Sequence, residues 1–358
     1  MKALLLLLLS SWVPTFAETP NELRARWLES IELNSPAEVV REARSLFAQD
    51  SSLAKDGEAL ALYARALSAT GGTVLAFELL EGCKNSDSPA AIELGLARLE
   101  LGQDRLTEVI QRLTQSQAGE NKNLSLRYPE QADSWWLVGK AQARLGQSQT
   151  SQQLLQHFVQ TWRLHPQAPS AWHLLSASAL ARRDLESASK YRAQGQNLST
   201  WHAFYKTRRL QVREDPMDSL PHYGLAQLWS SVDELAQASS ALDRSLEIDP
   251  EFARGWALRG ELRRKQGNDE AAYKAYNRAL ELDATLTDAR FNRALLAIRA
   301  GQSAAALTDL RLIVTGPESS AGRYLGAHLA LSRLLKELGH DEEAAQRYAR
   351  YRELGGTE

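Results

Sequence analysis

The chain has 358 residues, of which 24% are charged and 44% hydrophobic, which is the ordinary range for globular proteins. This composition excludes a chain that is disordered throughout, and a formal net charge of −2 argues against nucleic acid as the main partner. The single cysteine, Cys83, excludes an internal disulfide, so stability has to come from packing. We interpret Cys83 as a half-buried thiol, with pairing to another chain as the alternative.

The first seventeen residues have the order of a secretory signal peptide. Lys2 precedes an apolar run from Ala3 to Leu9, and Thr15-Phe16-Ala17 supplies small residues for cleavage after Ala17. The run is shorter than the about 20 apolar residues that span a bilayer, although an uncleaved anchor is the alternative. We therefore expect an exported protein, periplasmic or extracellular, with a mature chain that begins at Glu18 and has no membrane span.

Residues 18–196 contain helical segments of irregular spacing. Helix-start signals such as Ser35-Pro36 alternate with turn signals such as Gly102-Gln103-Asp104, and Gly95 takes a small-residue position before that turn. The polar residues 115–123 predict an exposed loop. The pattern becomes clearer at Trp135, Gly139 and Trp172. We predict a degenerate N-terminal array of helix pairs over residues 18–196, preceded by the signal peptide at 1–17.

A break in the spacing follows this array. His222 comes 50 residues after Trp172, sixteen more than the 34-residue spacing that follows it. The excess contains the aromatic-rich stretch from Trp201 to Tyr205. We predict an irregular helical connector over residues 197–218, which separates two arrays.

Residues 219–358 contain three consecutive segments that align at a period of 34 residues. The clearest copy has a turn at Gly267, and its marked positions recur one period earlier at His222 and one period later at Arg290. A last unit follows after an insertion at Gly316-Pro317. We predict that the following residues pack the helices of all units together: Trp135, Gly139, Trp172, Ala238, Trp256, Gly260, Ala272, Tyr276, Ala279, Ala306, Ala344 and Tyr348.

This pattern resembles the tetratricopeptide repeat, a helix–turn–helix unit of 34 residues with Trp, Gly, Ala and an aromatic residue at these positions. The resemblance implies an all-α fold, a right-handed α-solenoid of stacked repeats. Gly260 faces Ala272 and Ala279, and small side chains at a crossing let two helix axes approach closely. We expect a C-terminal array over residues 219–358.

No catalytic pattern accompanies the repeats. The histidines do not form the i, i+4 pair beside a glutamate that binds zinc, and no Gly-x-Ser-x-Gly elbow occurs. Gly139-Lys140-Ala141 lacks the upstream glycine and the hydroxyl residue of a phosphate-binding loop. We predict no enzyme, no cofactor and no metal site.

The resemblance also implies a concave groove lined by the first helices of successive units, which takes a peptide or a partner's helix. Helical spacing predicts its residues: Trp136, Lys140, Tyr223, Gln227, Arg254, Leu258, Glu261, Lys265, Phe291, Asn292 and Arg299. The basic first helix at 254–265 favours an acidic partner. The alternative is that these charges form solvated faces that pair between neighbouring helices.

These features together favour a non-enzymatic, protein-binding scaffold or adaptor in an envelope or secretion-related complex. One alternative is a permanent structural subunit of a larger complex. Another is an accessory subunit of an envelope enzyme.

Overall fold

The computed structural model describes residues 19–50, 53–83, 85–115, 125–316 and 325–357. The expected signal peptide and the predicted loop beyond Gln115 lie outside these residues. The described part is all-α: eighteen α-helices account for it, apart from turns, one 3-10 turn and two very short strands. Consecutive helices pair and the pairs stack, as the sequence pattern predicts.

The chain divides into two compact units, and the N-terminal unit ends at Lys206. Strands β1 (Thr114–Gln115) and β2 (Ser125–Leu126) pair antiparallel, with Thr114 opposite Leu126. The helices of this unit are α1 (Pro20–Glu32), α2 (Pro36–Gln49), α3 (Gly57–Ala69), α4 (Thr73–Gly82), α5 (Pro89–Gly102), α6 (Leu106–Leu113), α7 (Ala132–Arg144), α8 (Ser148–Thr161), α9 (Ala168–Ala181) and most of α10 (Leu185–Glu214).

The C-terminal unit begins at Thr207, within α10. Its remaining helices are α11 (Ser219–Ser231), α12 (Leu235–Ile248), α13 (Ala253–Lys265), α14 (Asp269–Leu282), α15 (Thr287–Arg299), α16 (Ser303–Thr315), α17 (Leu325–Glu337) and α18 (Asp341–Glu353).

The turn inside each helix pair contains one residue with positive φ. Gly267 has φ +78°, a left-handed conformation that glycine adopts without the cost of a Cβ. Asp104, Arg183 and Asp233 adopt the same conformation in their own pairs at φ between 58° and 62°. The full set is Asn34, Gly71, Asp104, Gly146, Arg183, Asp233, Gly267, Gly301 and Gly339. These nine turns define nine helix pairs within the described part of the chain.

Small residues lie where the two helices of a pair cross. A Cβ on Gly260 would lie 2.6 Å from the Tyr276 ring, so glycine is needed for this close approach. Where one of the crossing residues is serine, its hydroxyl donates to the backbone across the crossing. Ser151 Oγ donates to the Gly139 carbonyl at 2.9 Å, and Ser332 Oγ to the Ala344 carbonyl at 2.8 Å. The two helices can therefore approach closely even where one of the crossing residues is a serine.

The residues predicted to pack the helices take two kinds of position. Ala238, Ala272, Ala279 and Ala306 are fully buried, as Tyr276 almost is. The marked tryptophans are only half-buried, and two of the three bond to the loop before their helix. Trp135 Nε1 donates to the Pro129 carbonyl and Trp256 Nε1 to the Pro250 carbonyl, each at 2.8 Å.

Two packing assignments differ from the structure. Tyr348 is 39% exposed and contacts Tyr351, because no later described helix packs on its side of α18. Ala97, and not Gly95, takes the position of Gly260, because each lies seven residues before the positive-φ residue of its pair, Asp104 or Gly267. Gly95 is also buried at a close approach, since a Cβ there would lie 2.8 Å from Leu80 Cδ1, and it lines a cleft described below.

The predicted connector also differs from the structure. Residues 197–214 are not irregular: they continue α10, which runs without interruption for 30 residues. The sixteen extra residues lengthen the second helix of a pair by roughly 24 Å, at 1.5 Å per residue. Only residues 215–218 form a loop before α11.

Candidate functional site

The C-terminal unit contains a cleft of about 490 Å³ between the first helices of three successive pairs. Helices α11, α13 and α15 supply its walls, α14 supplies its floor, and the loop between α14 and α15 closes one side. We call it the C-terminal cleft. Its lining residues are Tyr223, Gln227, Arg254, Ala257, Leu258, Glu261, Tyr276, Asp283, Thr285, Leu286, Thr287, Asp288, Ala289 and Asn292.

Six of the residues predicted for the groove line this cleft together: Tyr223, Gln227, Arg254, Leu258, Glu261 and Asn292. Their placement follows from the stacking of helix pairs, since equivalent positions of successive first helices face the same side. That they bind a partner stays a prediction.

Tyr223 and Gln227 form one wall of the cleft. The Tyr223 ring packs edge-on against Phe252, with centroids 4.9 Å apart. Gln227 Nε2 donates to the Tyr223 hydroxyl at 3.1 Å, which leaves the amide oxygen of Gln227 as an acceptor. Burial raises the pKa of Tyr223, so its hydroxyl stays protonated near neutral pH.

Arg254 and Glu261 both line the cleft from α13. Neither forms an ion pair or a hydrogen bond with another described residue, although the pKa of Asp283 in the same lining is lowered by hydrogen bonds from Thr285 and, to a smaller extent, by Arg254. Seven residues separate them, so they are roughly 10 Å apart along the helix axis. The cleft therefore presents a cation and a carboxylate at separate positions of one wall.

Tyr276 forms the floor of the cleft. The residue is 1% exposed, and its hydroxyl makes no hydrogen bond with the described part of the chain. Burial raises the pKa of Tyr276 to about 12, and Glu261 adds to this effect. Arg264 and Asn292 approach the hydroxyl closely enough to oppose the rise, but without the geometry of a hydrogen bond. The sequence pattern marked Tyr276 as a packing residue and did not indicate its polar end.

Lys265 and Arg299, which were also predicted for the groove, do not line the C-terminal cleft, and Arg299 lines a separate cavity of about 350 Å³. Lys265 Nζ donates to the Ser230 carbonyl at 3.0 Å and pairs with Asp233 at 3.1 Å. Arg299 pairs with Asp269 at 3.1 Å. Both side chains reach from the last turn of a first helix to the turn of the preceding pair. Lys265 thus lies roughly 16 Å from Arg254 along α13.

Phe291 is also not part of the cleft. It packs with the core of the last helix pairs, and a Cβ on Gly326 would meet its ring at 3.2 Å. The side chain therefore faces α17, on the next pair.

The basic face of α13 pairs mostly with its neighbours. Arg259 forms an ion pair with Asp243 of α12, and its guanidinium lies 5.0 Å from the Trp256 ring centroid. Of the cations on α13, only Arg254 lines the cleft, whereas Glu261, Asp283 and Asp288 line it as carboxylates.

In the N-terminal unit, the two residues predicted for the groove, Trp136 and Lys140, contact other side chains of the fold. Trp136 is 3% exposed and packs against Phe158, with ring centroids 6.0 Å apart, so it belongs to the core. Lys140 Nζ lies 5.1 Å from the Trp136 ring centroid, a cation–π contact. Burial, followed by the nearby Arg144, lowers the pKa of Lys140.

A smaller cleft of about 210 Å³ lies between α3 and α5 of the N-terminal unit. We call it the N-terminal cleft. Its lining residues are Ala61, Arg65, Ser68, Ala69, Gly95, Arg98 and Leu99. Arg98 Nη2 donates to Asp133 Oδ2 of α7 at 2.5 Å, and His165 Nε2 lies 3.9 Å from the other Asp133 oxygen. Of the two arginines in this lining, Arg98 is thus paired, whereas Arg65 forms no ion pair with another described residue. Burial lowers the pKa of Arg65, with Arg98 adding to this effect and Asp133 and Glu32 opposing it.

Nothing in the described residues groups three metal-ligating side chains within reach of one ion. Within the same ranges, no helix combines the length and the hydropathy needed to cross a bilayer. Cys83 is half-buried, and its thiol donates to the Leu79 carbonyl at 2.9 Å. Burial raises the pKa of this thiol, which keeps it in the unreactive protonated form.

Comparison with known proteins agrees with this architecture. Residues 253–286, which include α13 and α14, match the family model of the tetratricopeptide repeat. No curated protein sequence matches the chain. The chain thus has an all-α fold of stacked helix pairs, one of which matches the tetratricopeptide repeat.

Several solved structures are similar to parts of the chain at low identity. The crystal structure of MamA protein covers 52% of this chain and 92% of its own, with 14% identity and a TM-score of 0.35. The structure of pilF of Pseudomonas aeruginosa covers 63% and 91%, with 14% identity and a TM-score of 0.37. YrrB, a TPR protein with an unusual peptide-binding site, covers 56% and 92%, with 14% identity and a TM-score of 0.34.

Proposed function

We propose that this chain is a non-enzymatic scaffold whose C-terminal cleft binds an extended segment of a partner protein. The observation that carries the proposal is the cleft itself. Three successive first helices line one cavity of about 490 Å³ with groups that can recognise a peptide: two amides, two phenols, one guanidinium and several carboxylates. A cavity of this size accommodates a few residues of an extended chain.

The polar groups of the cleft are suited to bind the main chain of the partner segment and its charged side chains. Gln227 and Asn292 lie on opposite first helices, α11 and α15, and an amide side chain both donates and accepts, as a peptide group does. The Arg254 guanidinium can pair with an acidic group on the partner, which is the kind of partner that the sequence predicts. Because carboxylates outnumber cations in the lining, we propose that this acidic group is a single one and that a basic group lies opposite Glu261.

We further propose that the chain acts after export, in an envelope or secretion-related complex. The support is the order of Lys2, the apolar run and Ala17 at the N-terminus. N-terminal sequencing of the chain from the exported fraction should begin at Glu18, and a sequence that begins at Met1 would contradict cleavage.

The proposed function can be tested with a phage-displayed library of random twelve-residue peptides, selected on the full chain. We expect selected peptides to bind through Arg254, so Arg254→Glu should weaken their binding about ten-fold or more. It should also reduce the dependence of the association rate on salt, because an exposed charge chiefly steers the encounter.

The matched control is Arg278→Glu, the same charge reversal on the second helix α14. Arg278 is 43% exposed and does not line the cleft, so this variant should bind the selected peptides as the wild type does. If both variants lose affinity equally, or if Arg254→Glu loses none, the C-terminal cleft is not the binding site.

A further inference from the structure

Two of the four charges that line the C-terminal cleft, Arg254 and Glu261, form neither an ion pair nor a hydrogen bond within the described residues. The other two already have partners. Asp283 Oδ1 accepts hydrogen bonds from the Thr285 amide at 2.9 Å and from the Thr285 hydroxyl at 2.6 Å, and Asp288 also interacts within the chain. Arg254 and Glu261 are therefore the charges with which a ligand can pair.

Arg254 and Glu261 lie toward opposite ends of the cleft. They face the same side of α13, because seven residues are almost two full helical turns, and they are roughly 10 Å apart along its axis. Burial raises the pKa of Tyr223 on the neighbouring helix α11, while Arg254 lowers this pKa and Glu261 raises it. Both charges thus act on the space between α13 and α11, with the cation at one end and the carboxylate at the other.

The walls and one closed end define the direction in which a segment can cross the cleft. Gln227 lines the cleft from α11 and Asn292 from α15, on either side of α13. The loop between α14 and α15 closes the end where Arg254 lies, since Arg254 contributes, after two hydrogen bonds, to the lowered pKa of Asp283 in that loop. A segment parallel to α13 would meet this loop, whereas a segment that crosses from α11 to α15 would not.

The path across α13 determines which residues of the segment meet the two charges. Successive side chains of an extended chain point to opposite sides, here toward the Arg254 end and the Glu261 end of the cleft. We infer that the bound segment carries an acidic and a basic residue next to each other, the acidic one paired with Arg254 and the basic one with Glu261. This inference rests on the proposed function and adds the sequence pattern that the cleft selects.

The pattern is tested with peptides from the library selection above whose binding Arg254→Glu weakens. Their sequences should share an adjacent acidic–basic pair. In one such peptide, the basic residue is exchanged with its uncharged neighbour, so that one residue separates the two charges. Both charges then point to the same side, and we expect the affinity to fall about ten-fold although the composition is unchanged.

A charge exchange across the cleft tests the pairing itself. Glu261→Lys should weaken binding of the original peptide about ten-fold. A peptide whose basic residue is replaced by glutamate should bind this variant better than it binds the wild type, which also shows that the variant is folded. Glu281 on α14 is 64% exposed and does not line the cleft, so Glu281→Lys is the matched control and should bind the original peptide as the wild type does.

The outcomes separate this inference from the proposed function. Undiminished affinity when one residue separates the two charges would mean that the segment runs along α13, and would overturn the inference. Unchanged affinity in Glu261→Lys would overturn it as well, while leaving the proposed function intact. Selected peptides that are all insensitive to Arg254→Glu would instead remove the proposed function.

Discussion

The two clefts are built from the same kind of helix pair, yet they differ in what their polar side chains contact. In the N-terminal cleft, Arg98 forms an ion pair with Asp133 of α7, whereas Arg65, the other cation of the lining, forms none within the described residues. In the C-terminal cleft, Arg254 and Glu261 form no ion pair within the described residues, and the Tyr276 hydroxyl has no hydrogen bond. The Arg98–Asp133 ion pair is a contact within the fold, whereas Arg254 and Glu261 line their cleft without an ion pair among the described residues.

The difference shows that a position on a first helix does not decide its role by itself. A charged side chain at such a position either forms an ion pair with a neighbouring helix pair or lines the cleft without one. Lys265 and Arg299 illustrate the first outcome, because each reaches an aspartate of the preceding turn.

The largest expected effect contrasts one substitution in the two clefts. Arg98→Met should leave Asp133 partly buried without its ion-pair partner, at a cost of about 2 kcal/mol, between the values for exposed and fully buried pairs. Arg254→Met should change stability by less than about 0.5 kcal/mol, since Arg254 is exposed and unpaired. Urea unfolding of the two variants beside the wild type gives both values.

Equal urea midpoints for Arg98→Met and Arg254→Met would contradict the expectation that only Arg98 contributes substantially to stability. A larger loss in Arg254→Met than in Arg98→Met would reverse it, and would show that Arg254 has a structural partner.

A smaller effect concerns acid stability in the N-terminal unit. Burial, with Arg98, Arg65 and His202 nearby, lowers the pKa of His165, although Asp133 opposes this. The unfolded chain therefore takes up a proton at His165 at a higher pH than the folded chain does. Stability is complete above the unfolded pKa of about 6.5 and falls as the pH drops below it.

We expect His165→Gln to lose less stability than the wild type between pH 7 and pH 5, measured as the change in urea midpoint for each protein. A slope that is unchanged by the substitution would mean that another group determines the acid sensitivity. A steeper slope in the variant would contradict the direction of the His165 shift.

Much of the fold was predictable from the sequence because its determinants are local. The 34-residue period, the left-handed Gly267 and the small residues Gly260 and Ala272 each act within one helix pair. The long helix α10 was not predicted as such, because a shift in spacing does not distinguish a longer helix from an inserted connector. Helical periodicity within α10 is weak, since few of its 30 residues are buried.

The site was predictable only where a side chain's direction follows from its position on the helix. Gln227, Leu258 and Asn292 line the cleft for this reason. The ion pairs of Lys265 and Arg299 depend on aspartates 30 to 32 residues away, which one helix cannot indicate. The unpartnered hydroxyl of Tyr276 is likewise a property of the assembled cleft.

The central claim is that the C-terminal cleft, and not the N-terminal one, binds the partner segment. The most direct test places the same diazirine-bearing side chain at Ala257 of the C-terminal cleft or at Ala61 of the N-terminal cleft, two half-buried lining positions. Each protein is irradiated with a library-selected, labelled peptide, and the cross-linked product is quantified. We predict cross-linking from position 257 and none above background from position 61. Cross-linking from position 61, or equal yields from both, would contradict the account.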